Sequence, residues 1–471
     1  MCAVFAVFAP GKDVSRLTYF GLHALQHRGQ ESAGIAVADG KTVTIVKNLG
    51  LVTEAFKESD LTTLKGFAAI GHVRYSTYAS ASNAWEAAQP HLSWIGSGTT
   101  KESIALAHNG SLLGSKTVHD QLHAQGVRFM SATDSEVAAQ LIGRITEETH
   151  SLRDGIAQAM HSFAGAYSMV LTTPSALYAF RDPHGMRPLV LGELPEDAGW
   201  VVASETCGLN IVGARYVRDI RPGEILKISE VELESTQGIP AAEKQALCVF
   251  EYVYFSRPDS VIEGKSMYKV REAIGKKLSE LAPVQADAVI SVPDSGTPTA
   301  VGYAAESGIP YAEGLIKNRY VGRTFIQPTQ ELRERGVRLK LNPLVDKIAG
   351  KRLIVCDDSI VRGTTSRQIV AMLRDAGATE VHMRVSSPPV VWPCFYGVDT
   401  GNQDQLIAAH KTPEEIRDYI GADSLTFIGL EDMIEVIDSC NGQFCTACFD
   451  GNYPVEIPAE DAEGKFLCLD C

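Results

Sequence analysis

The stretch IVCDDSIVRGTTS, residues 354–366, indicates how the second half of the chain folds. An apolar strand ends at Asp357 and Asp358, a short loop containing Gly363 follows, and a helix is expected from about Ser366. The start of a helix offers free N–H groups and a positive dipole end, so this loop suits a phosphate group. The two carboxylates suit ribose hydroxyls or Mg²⁺. An ordinary capped helix beside two solvated acids is the alternative.

Helical and strand-like segments alternate around this stretch from about residue 265 onward. ADAVISV (286–292) and EVHMRVSS (380–387) are strand-like, whereas YKVREAIGKKLSELAP (268–283) is helical. This alternation predicts an α/β domain with a parallel sheet and a ligand site at the carboxyl ends of its strands. In the first half, short strand-like runs outnumber helical segments such as SRLTYFGLHALQHRG (15–29) and DSEVAAQLIGRITEE (134–148). That pattern favours a layered α+β domain.

Length and composition indicate a globular chain of two or three domains. The chain has 471 residues, of which 45% are hydrophobic and 21% charged, and a net charge of −14. No apolar run approaches the ~20 residues of a membrane span, and the N-terminal stretch lacks the basic region of a secretory signal. The negative charge argues against a general nucleic-acid binder. We therefore expect a cytoplasmic protein with neither a membrane nor a nucleic acid as partner.

Three segments of the second half resemble type I phosphoribosyltransferases. IVCDDSIVRGTTS resembles their loop for phosphoribosyl pyrophosphate (PRPP), and AVISVPDSGTPTA (288–300) their pyrophosphate loop. The basic segment KNRYVGRTFIQPTQELRERGVRLKLN (317–342) resembles the flexible loop that closes over PRPP; a solvated charged loop is the alternative. The resemblance implies Mg²⁺ ligands at Ser295, Asp357 and Asp358. It also implies PRPP contacts from Asp357, Asp358, Ser359, Arg362, Gly363, Thr364, Thr365, Ser295, Gly296, Arg323 and Lys340.

The opening residues MCAVF place a cysteine directly after the initiator methionine. Removal of Met1 would leave Cys2 with a free α-amine beside its thiol, so that one residue could supply both a nucleophile and a proton acceptor. An ordinary strand residue is the alternative.

Four strings in the first half each hold a polar residue near a glycine or at a turn: QHRGQESAGIAV (26–37), GHVRYST (71–77), AHNGSL (107–112) and TDSEV (133–137). Arg74 can bind the α-carboxylate of a glutamine substrate, and Asp134 can bind its amine. The Asn109 side chain and the Gly110 N–H can form an oxyanion hole.

With Cys2, these strings resemble the N-terminal-nucleophile glutaminase domain of class II amidotransferases, whose fold is a layered αββα arrangement. The resemblance implies that Cys2 attacks glutamine, that Arg28 and Gly29 support the nucleophile, and that Thr77 contacts glutamine. Two residues depart from the usual family pattern, Ala3 and Ala79, where glycine is common.

Further strings, RDPHGMRPLVLG (181–192), ASET (203–206) and RPGEI (221–225), extend the resemblance to the amidophosphoribosyltransferase family. It implies a glutaminase domain over 2–240, a phosphoribosyltransferase domain over 250–440 and a cysteine-containing tail over 441–471.

The implied reaction hydrolyses glutamine and passes ammonia to C1 of PRPP. It gives 5-phosphoribosylamine, glutamate and pyrophosphate, in the first committed step of purine (IMP) synthesis. The family also implies a homodimer or homotetramer with feedback by purine nucleotides. The alternatives are a PRPP-sensing regulator and a sugar-phosphate-aminating amidotransferase; the intact glutaminase strings disfavour the first, and IVCDDSIVRGTTS disfavours the second.

The ten cysteines of the chain allow two metal assignments. The spacing C-x₂-C-x₁₉-C-x₂-C favours a structural zinc ion at Cys445, Cys448, Cys468 and Cys471. Resemblance to the iron–sulfur branch of the family instead implies a [4Fe–4S] cluster held by Cys248, Cys394, Cys445 and Cys448, and we favour that assignment. Cys207 and Cys356 lie in apolar segments and are expected in the core. Cys440 has no assigned role, and neither have Cys468 and Cys471 outside the zinc alternative.

Overall fold

A computed structural model describes residues 2–75, 85–96, 101–318, 340–438 and 443–463. Its first half contains two antiparallel sheets, and its second half is built around a parallel sheet. None of the helices in these ranges is long and apolar enough to cross a bilayer.

The first half has thirteen strands within the described ranges. They are Ala3–Phe8 (β1), Ser32–Ala38 (β2), Val43–Leu49 (β3), Ala68–Arg74 (β4), His91–Ile95 (β5), Glu102–Leu113 (β6), Ala164–Thr172 (β7), Leu177–Arg181 (β8), Val190–Glu193 (β9), Trp200–Ala203 (β10), Arg215–Asp219 (β11), Glu224–Ile228 (β12) and Leu233–Gln237 (β13). The described helices of this half are Val14–Ala24 (α1), Val52–Ala55 (α2), Glu58–Thr63 (α3), Ser115–Ala124 (α4), Asp134–Thr149 (α5), Leu152–Ser162 (α6) and Thr206–Ile211 (α7).

These strands form a seven-stranded sheet, β11–β9–β10–β1–β4–β2–β3, and a six-stranded sheet, β13–β12–β8–β7–β6–β5. The alternation of β1 explains the layers, because successive side chains of a strand point to opposite faces. Phe5 and Val7 pack toward the helices that cover the first sheet, whereas Val4 and Ala6 pack against the second sheet. Helices α5 and α6 cover the outer face of the second sheet. The result is the expected αββα arrangement.

Helix α1 ends earlier than the sequence predicts. The periodicity predicts a helix over 15–29, but α1 stops at Ala24 and a 3₁₀ turn, Gln26–Arg28, follows. The reason is the close approach of Gly29 to β4: a Cβ atom on Gly29 would lie 2.6 Å from the carbonyl carbon of Val73. The 3₁₀ turn therefore lets the backbone of Gly29 approach β4 closely.

The second half has ten strands within the described ranges: Leu247–Cys248 (β14), Val261–Ile262 (β15), Lys265–Ser266 (β16), Ala288–Ser291 (β17), Leu315–Lys317 (β18), Leu341–Pro343 (β19), Arg352–Asp357 (β20), Glu380–Val385 (β21), Ser424–Phe427 (β22) and Phe444–Cys445 (β23). The described helices are Met267–Leu281 (α8), Thr297–Ser307 (α9), Val345–Ile348 (α10), Thr364–Asp375 (α11), Pro413–Ile420 (α12), Leu430–Ile437 (α13), Ala447–Asp450 (α14) and Ala459–Ala462 (α15), with a π-helical turn at Glu251–Phe255.

Strands β17–β20–β21–β22 form a parallel sheet that is buried on both faces. Ile354 packs against the side of the sheet that carries α8 and α9, whereas Leu353 and Val355 pack toward α11 and α12. A parallel sheet covered on both sides needs nearly continuous apolar strands, which explains the run RLIVC before the two aspartates. Cys356 and, in the first half, Cys207 are buried, as predicted.

Candidate functional site

Cys2 lies beside the end of β4. The antiparallel register pairs Ala3 with Val73, which brings Cys2 next to the carboxyl end of that strand. The Cys2 thiol is partly exposed and donates to the carbonyl oxygen of Tyr75 at 3.6 Å. Arg28 Nε donates to the carbonyl oxygen of Cys2 at 3.1 Å. The thiol is therefore accessible, and the hydrogen bond from Arg28 holds the Cys2 backbone in place. We call Cys2 and the adjoining end of β4 the Cys2 corner.

The predicted residues Arg28, Gly29 and Arg74 lie near Cys2. A Cβ on Gly29 would lie 2.7 Å from the backbone nitrogen of Arg74, so only glycine allows the two segments to approach this closely. The Arg74 guanidinium is largely buried and lies 3.7 Å from a carboxylate oxygen of Glu31. Thr77 and Ala79 fall outside the described residues.

Asn109 and Gly110 lie on β6 of the second sheet, beside Asp134. Asn109 is fully buried, and in the described part of the chain neither polar atom of its side chain has a hydrogen-bond partner. Leaving a buried amide without a hydrogen-bond partner costs free energy. The Asn109 amide is therefore available to bind an oxygen atom of a ligand. Asp134 begins α5, and its Oδ2 accepts from the backbone N–H of Leu112 at 2.9 Å.

A histidine contact joins the two groups of predicted residues. His72 Nε2 lies 3.0 Å from the carbonyl oxygen of His108, which links β4 near Arg74 to β6 beside Asn109. Burial lowers the pKa of His72 to about 3, so the imidazole is neutral near pH 7 and donates to this carbonyl. The same contact brings the Cys2 corner and the Asn109 strand to one site.

Two buried acids belong to this site and were missed by the sequence reasoning. Arg28 Nη1 donates to Glu205 at 2.6 Å, and Nη1 and Nη2 of Arg28 donate to Glu251 at 2.8 and 2.7 Å. All three side chains are fully buried. Burial alone would raise the pKa of Glu251, but the charge of Arg28 outweighs it and lowers that pKa. The sequence signal for Glu251 was its position as the single acidic residue in the apolar run CVFEYVYF (248–255).

The second group of predicted residues lies at the carboxyl end of β20. Asp357 and Asp358 are buried side by side, and Asp358 accepts hydrogen bonds from the hydroxyls of Ser295 and Ser359. Burial raises the pKa of both carboxyls, and the charge of Asp358 raises that of Asp357 further. Two buried acids with raised pKa values and a hydroxyl beside them suit a divalent cation.

Two helix N-termini face this end of the sheet. Gly363, with φ +75°, precedes α11, and Gly296 precedes α9. A Cβ on Gly296 would lie 2.5 Å from the carbonyl oxygen of Cys356, so the loop after β17 packs directly against the end of β20. Thr364 and Thr365 are exposed at the start of α11. The arrangement offers free N–H groups and hydroxyls to a phosphorylated ligand.

The remaining predicted PRPP residues are placed less completely. Arg362 is exposed in the loop before α11, and its Nη2 would lie 3.1 Å from a Cβ atom on Gly401. Lys340 is half-buried, and its carbonyl oxygen accepts from the N–H of Asn318 at 2.8 Å. At the start of the basic segment, Lys317 Nζ lies 2.6 Å from Asp294. Arg323 and the rest of 319–339 lie outside the described residues.

Four cysteines line one small cavity in the second half of the chain: Cys248, Cys394, Cys445 and Cys448. Cys248 and Cys445 pair directly across β14 and β23, and the N–H of Tyr396 donates to the Cys394 sulfur at 3.3 Å. Burial raises the pKa values of Cys248, Cys445 and Cys448, so these thiols are protonated unless a metal is bound.

The described cysteine, histidine and acidic side chains contain no group of three already arranged to hold a metal ion. Cys468 and Cys471, which the zinc alternative requires, lie outside the described residues, as does Cys440.

The folds and their two sites define a class of protein: a glutamine amidotransferase joined to a phosphoribosyltransferase. Family profiles agree, since one described as a glutamine amidotransferase domain matches residues 84–210 and one described as a phosphoribosyl transferase domain matches 262–387.

Individual relatives specify the family. An amidophosphoribosyltransferase of Synechococcus elongatus is 52% identical over 99% of this chain and 94% of its own length. The solved glutamine PRPP amidotransferase from B. subtilis, complexed with ADP and GMP, is 46% identical with a TM-score of 0.89, covering 98% of both chains. A structure described as the allosteric regulatory enzyme of purine biosynthesis is likewise 46% identical, with a TM-score of 0.91 over 98% of both chains. The chain belongs to the amidophosphoribosyltransferase family.

Proposed function

We propose that this enzyme hydrolyses glutamine at Cys2 and transfers the ammonia to C1 of PRPP, giving 5-phosphoribosylamine, glutamate and pyrophosphate. The observation that carries the proposal is the presence of both sites in one chain: an accessible cysteine on the sheet that His72 links to the strand of the unpaired Asn109 amide, and paired carboxylates before a phosphate cradle. The description of one relative as an enzyme of purine biosynthesis supports the same pathway here.

In the glutaminase half, removal of Met1 frees the α-amine of Cys2, which accepts the thiol proton as the sulfur attacks the amide carbon. Asn109 Nδ2 and the Gly110 N–H then donate to the oxyanion of the tetrahedral intermediate. Collapse of the intermediate releases ammonia and leaves a thioester, which water hydrolyses to glutamate. Arg74 and Asp134 hold the α-carboxylate and the α-amine of the substrate, with Thr77 as a further glutamine contact.

In the transferase half, ammonia attacks C1 of the ribose while the bond from C1 to the pyrophosphate oxygen breaks. Mg²⁺ held by Asp357, Asp358 and Ser295 would neutralise charge on the leaving pyrophosphate. The N-termini of α9 and α11 bind phosphate groups, and the hydroxyls of Thr364 and Thr365 add donors. Closure of the basic segment 317–342, which carries Arg323 and Lys340, would exclude water that competes with ammonia.

We assign the four-cysteine cavity to a [4Fe–4S] cluster, with zinc as the alternative. All four cysteines line one cavity, and the resemblance of their segments to the iron–sulfur branch of the family favours the cluster. Such a centre would tie together segments around residues 248, 394 and 445. Metal analysis of anaerobically purified protein tests this: about four irons and four sulfides per chain are expected, whereas one zinc and no iron would contradict the assignment.

The family also supports regulation and assembly. A relative solved with ADP and GMP supports purine nucleotides as feedback ligands of this chain, and we expect a cytoplasmic homodimer or homotetramer. We propose that the chain comprises a glutaminase domain over 2–240, a phosphoribosyltransferase domain over 250–440 and a cysteine-containing tail over 441–471.

The function is tested with the purified full chain, amide-¹⁵N glutamine, PRPP and Mg²⁺. We expect glutamate and pyrophosphate to form in equal amounts, with ¹⁵N in the aminated ribose product. Glutamate release without any pyrophosphate, even with ammonium supplied, would show that PRPP is not the acceptor. Tight PRPP binding without turnover would favour the sensor alternative.

A further inference from the structure

Residues from the second half of the chain touch the glutaminase site at two points. The first is Glu251, whose carboxylate receives two hydrogen bonds from Arg28, the residue that donates to the Cys2 carbonyl. Since Arg28 is fully buried between Glu205 and Glu251, its direction is set by these two acids. The position of the Cys2 carbonyl therefore depends on a carboxylate 249 residues away in sequence.

Glu251 is itself held firmly. Ser256 Oγ donates to its Oε2 at 2.7 Å, and the Arg187 guanidinium lies 3.5 Å from its Oε1. Its backbone belongs to the π-helical turn Glu251–Phe255, and buried Arg271 donates to the carbonyl oxygens of Tyr252 and Ser256 at 2.7 Å. Both oxygens of this carboxylate are thus held by buried neighbours, which fixes the direction of Arg28.

The second contact is between Gly397 and Gly110. A Cβ on Gly397 would lie 3.0 Å from both the carbonyl carbon and the carbonyl oxygen of Gly110, and 3.3 Å from its Cα. Gly397 also has φ +104°, and Arg187 donates to the carbonyl oxygen of the preceding Tyr396 at 3.0 Å. The loop after Cys394 is therefore packed against the backbone that carries the oxyanion donor.

We propose that Glu251 and Gly397 are positioning residues of the glutaminase site: Glu251 fixes the Cys2 backbone through Arg28, and Gly397 fixes the peptide at Gly110. The inference rests on the proposed function and adds that the glutaminase half is geometrically incomplete without the second half. A displacement of about 1 Å in such a constellation is enough to cost turnover severely.

The first experiment compares Glu251→Gln with Glu224→Gln in the full chain. Glu224 is a matched control because it is also fully buried, paired by two hydrogen bonds to one arginine, Arg218, and bonded to a serine, Ser235. In Glu251→Gln we expect kcat with glutamine to fall roughly 10-fold or more, with KM for glutamine changed by less than about 2-fold. Activity with ammonium as nitrogen donor should stay within about 2-fold of wild type. Glu224→Gln should leave the ratio of the two activities unchanged.

The second experiment compares Gly397→Ala with Gly308→Ala. Gly308 also has a positive φ, +72°, but a Cβ there would meet no atom within 4 Å, so it controls for backbone strain alone. We expect Gly397→Ala to lower glutamine-dependent kcat by about 10-fold while ammonium-dependent activity persists. The Gly308 variant should keep the wild-type ratio.

The outcomes separate this inference from the proposed function. A wild-type chain without glutamine-dependent amination of PRPP would defeat the function itself. If the wild type is active but a soluble Glu251 or Gly397 variant keeps the wild-type activity ratio, or loses both activities equally, that residue is not a positioning residue. The two variants act at different contacts, so failure of one to fold leaves the other as the test.

Discussion

The two proposed active sites differ in how deeply their supporting side chains are buried. Around Cys2 and Asn109, the decisive contacts come from fully buried side chains on two sheets, including the bridge from His72 to His108. At the end of β20, the carboxylates are buried but the hydroxyls of the phosphate cradle face outward. The supporting contacts of the first site are buried, whereas the hydroxyls of the second are exposed.

This difference fits the chemistry of each half. Acyl transfer from glutamine needs donors already in place for a small oxyanion, and buried packing supplies that order before the substrate arrives. PRPP is large and highly charged, so its cradle must admit the ligand before water is excluded. The glutaminase site therefore depends on contacts between distant segments, whereas the cradle depends mainly on one local loop.

The sharpest separation of the two sites is Cys2→Ala. Glutamine-dependent amination should fall by about 10⁴-fold or more because no other group supplies the nucleophile. Ammonium-dependent pyrophosphate release should persist, since β20 and its loop are untouched. Parallel assays with the two nitrogen donors check this, and loss of both activities in a folded variant would break the distinction.

The converse change is Asp358→Asn, which keeps the shape of the side chain but removes a charge from the cation site. Pyrophosphate release with either nitrogen donor should fall by about 10³-fold. Asp375→Asn, at the far end of α11, is the control and should retain activity. Equal activity of Asp358→Asn and wild type at saturating Mg²⁺ would argue against a cation at this carboxylate.

A smaller effect is expected for Asn109→Ala within the glutaminase half. Loss of one oxyanion donor should lower glutamine-dependent kcat by about 10²-fold, with a lesser change in KM. Because the amide has no other partner among the described residues, folding stability should not fall with it. Steady-state kinetics and urea denaturation together check both parts; a change in KM alone would place Asn109 in ground-state binding.

The smallest effect concerns the pH dependence of stability at His72. Its pKa is about 3 when folded and about 6.5 when unfolded, so between these values only the unfolded chain binds the proton. Stability therefore falls as pH drops below about 6.5, and His72→Gln should remove about 1.4 kcal/mol per pH unit of that slope. Urea denaturation at several pH values measures it, with the slope above pH 7.5 as the internal control. An unchanged slope would show that His72 is not buried in its neutral form.

Much of the transferase site is predictable from sequence because its parts are contiguous. Asp357, Asp358, Gly363 and the start of α11 lie within a dozen residues, so a strand, a turn and a helix place them together without distant help. Arg74, Asn109 and Asp134 are predictable as residue types for binding glutamine. Their convergence depends on the pairing of β1 with β4 and on the facing sheets.

Local sequence patterns are enough to predict the two architectures, from short strands in one half and alternating helices and strands in the other, and they indicate the chemistry of Cys2 and of the loop after β20. The folded contacts were needed to show that α1 stops early for Gly29, that Glu205 and Glu251 enclose Arg28, and that Gly397 packs against Gly110. The difference lies in the sequence separation of the interacting residues. Periodicity and turn chemistry act over a few residues, whereas buried charge pairing and backbone contact join segments hundreds of residues apart, and no local pattern encodes their meeting.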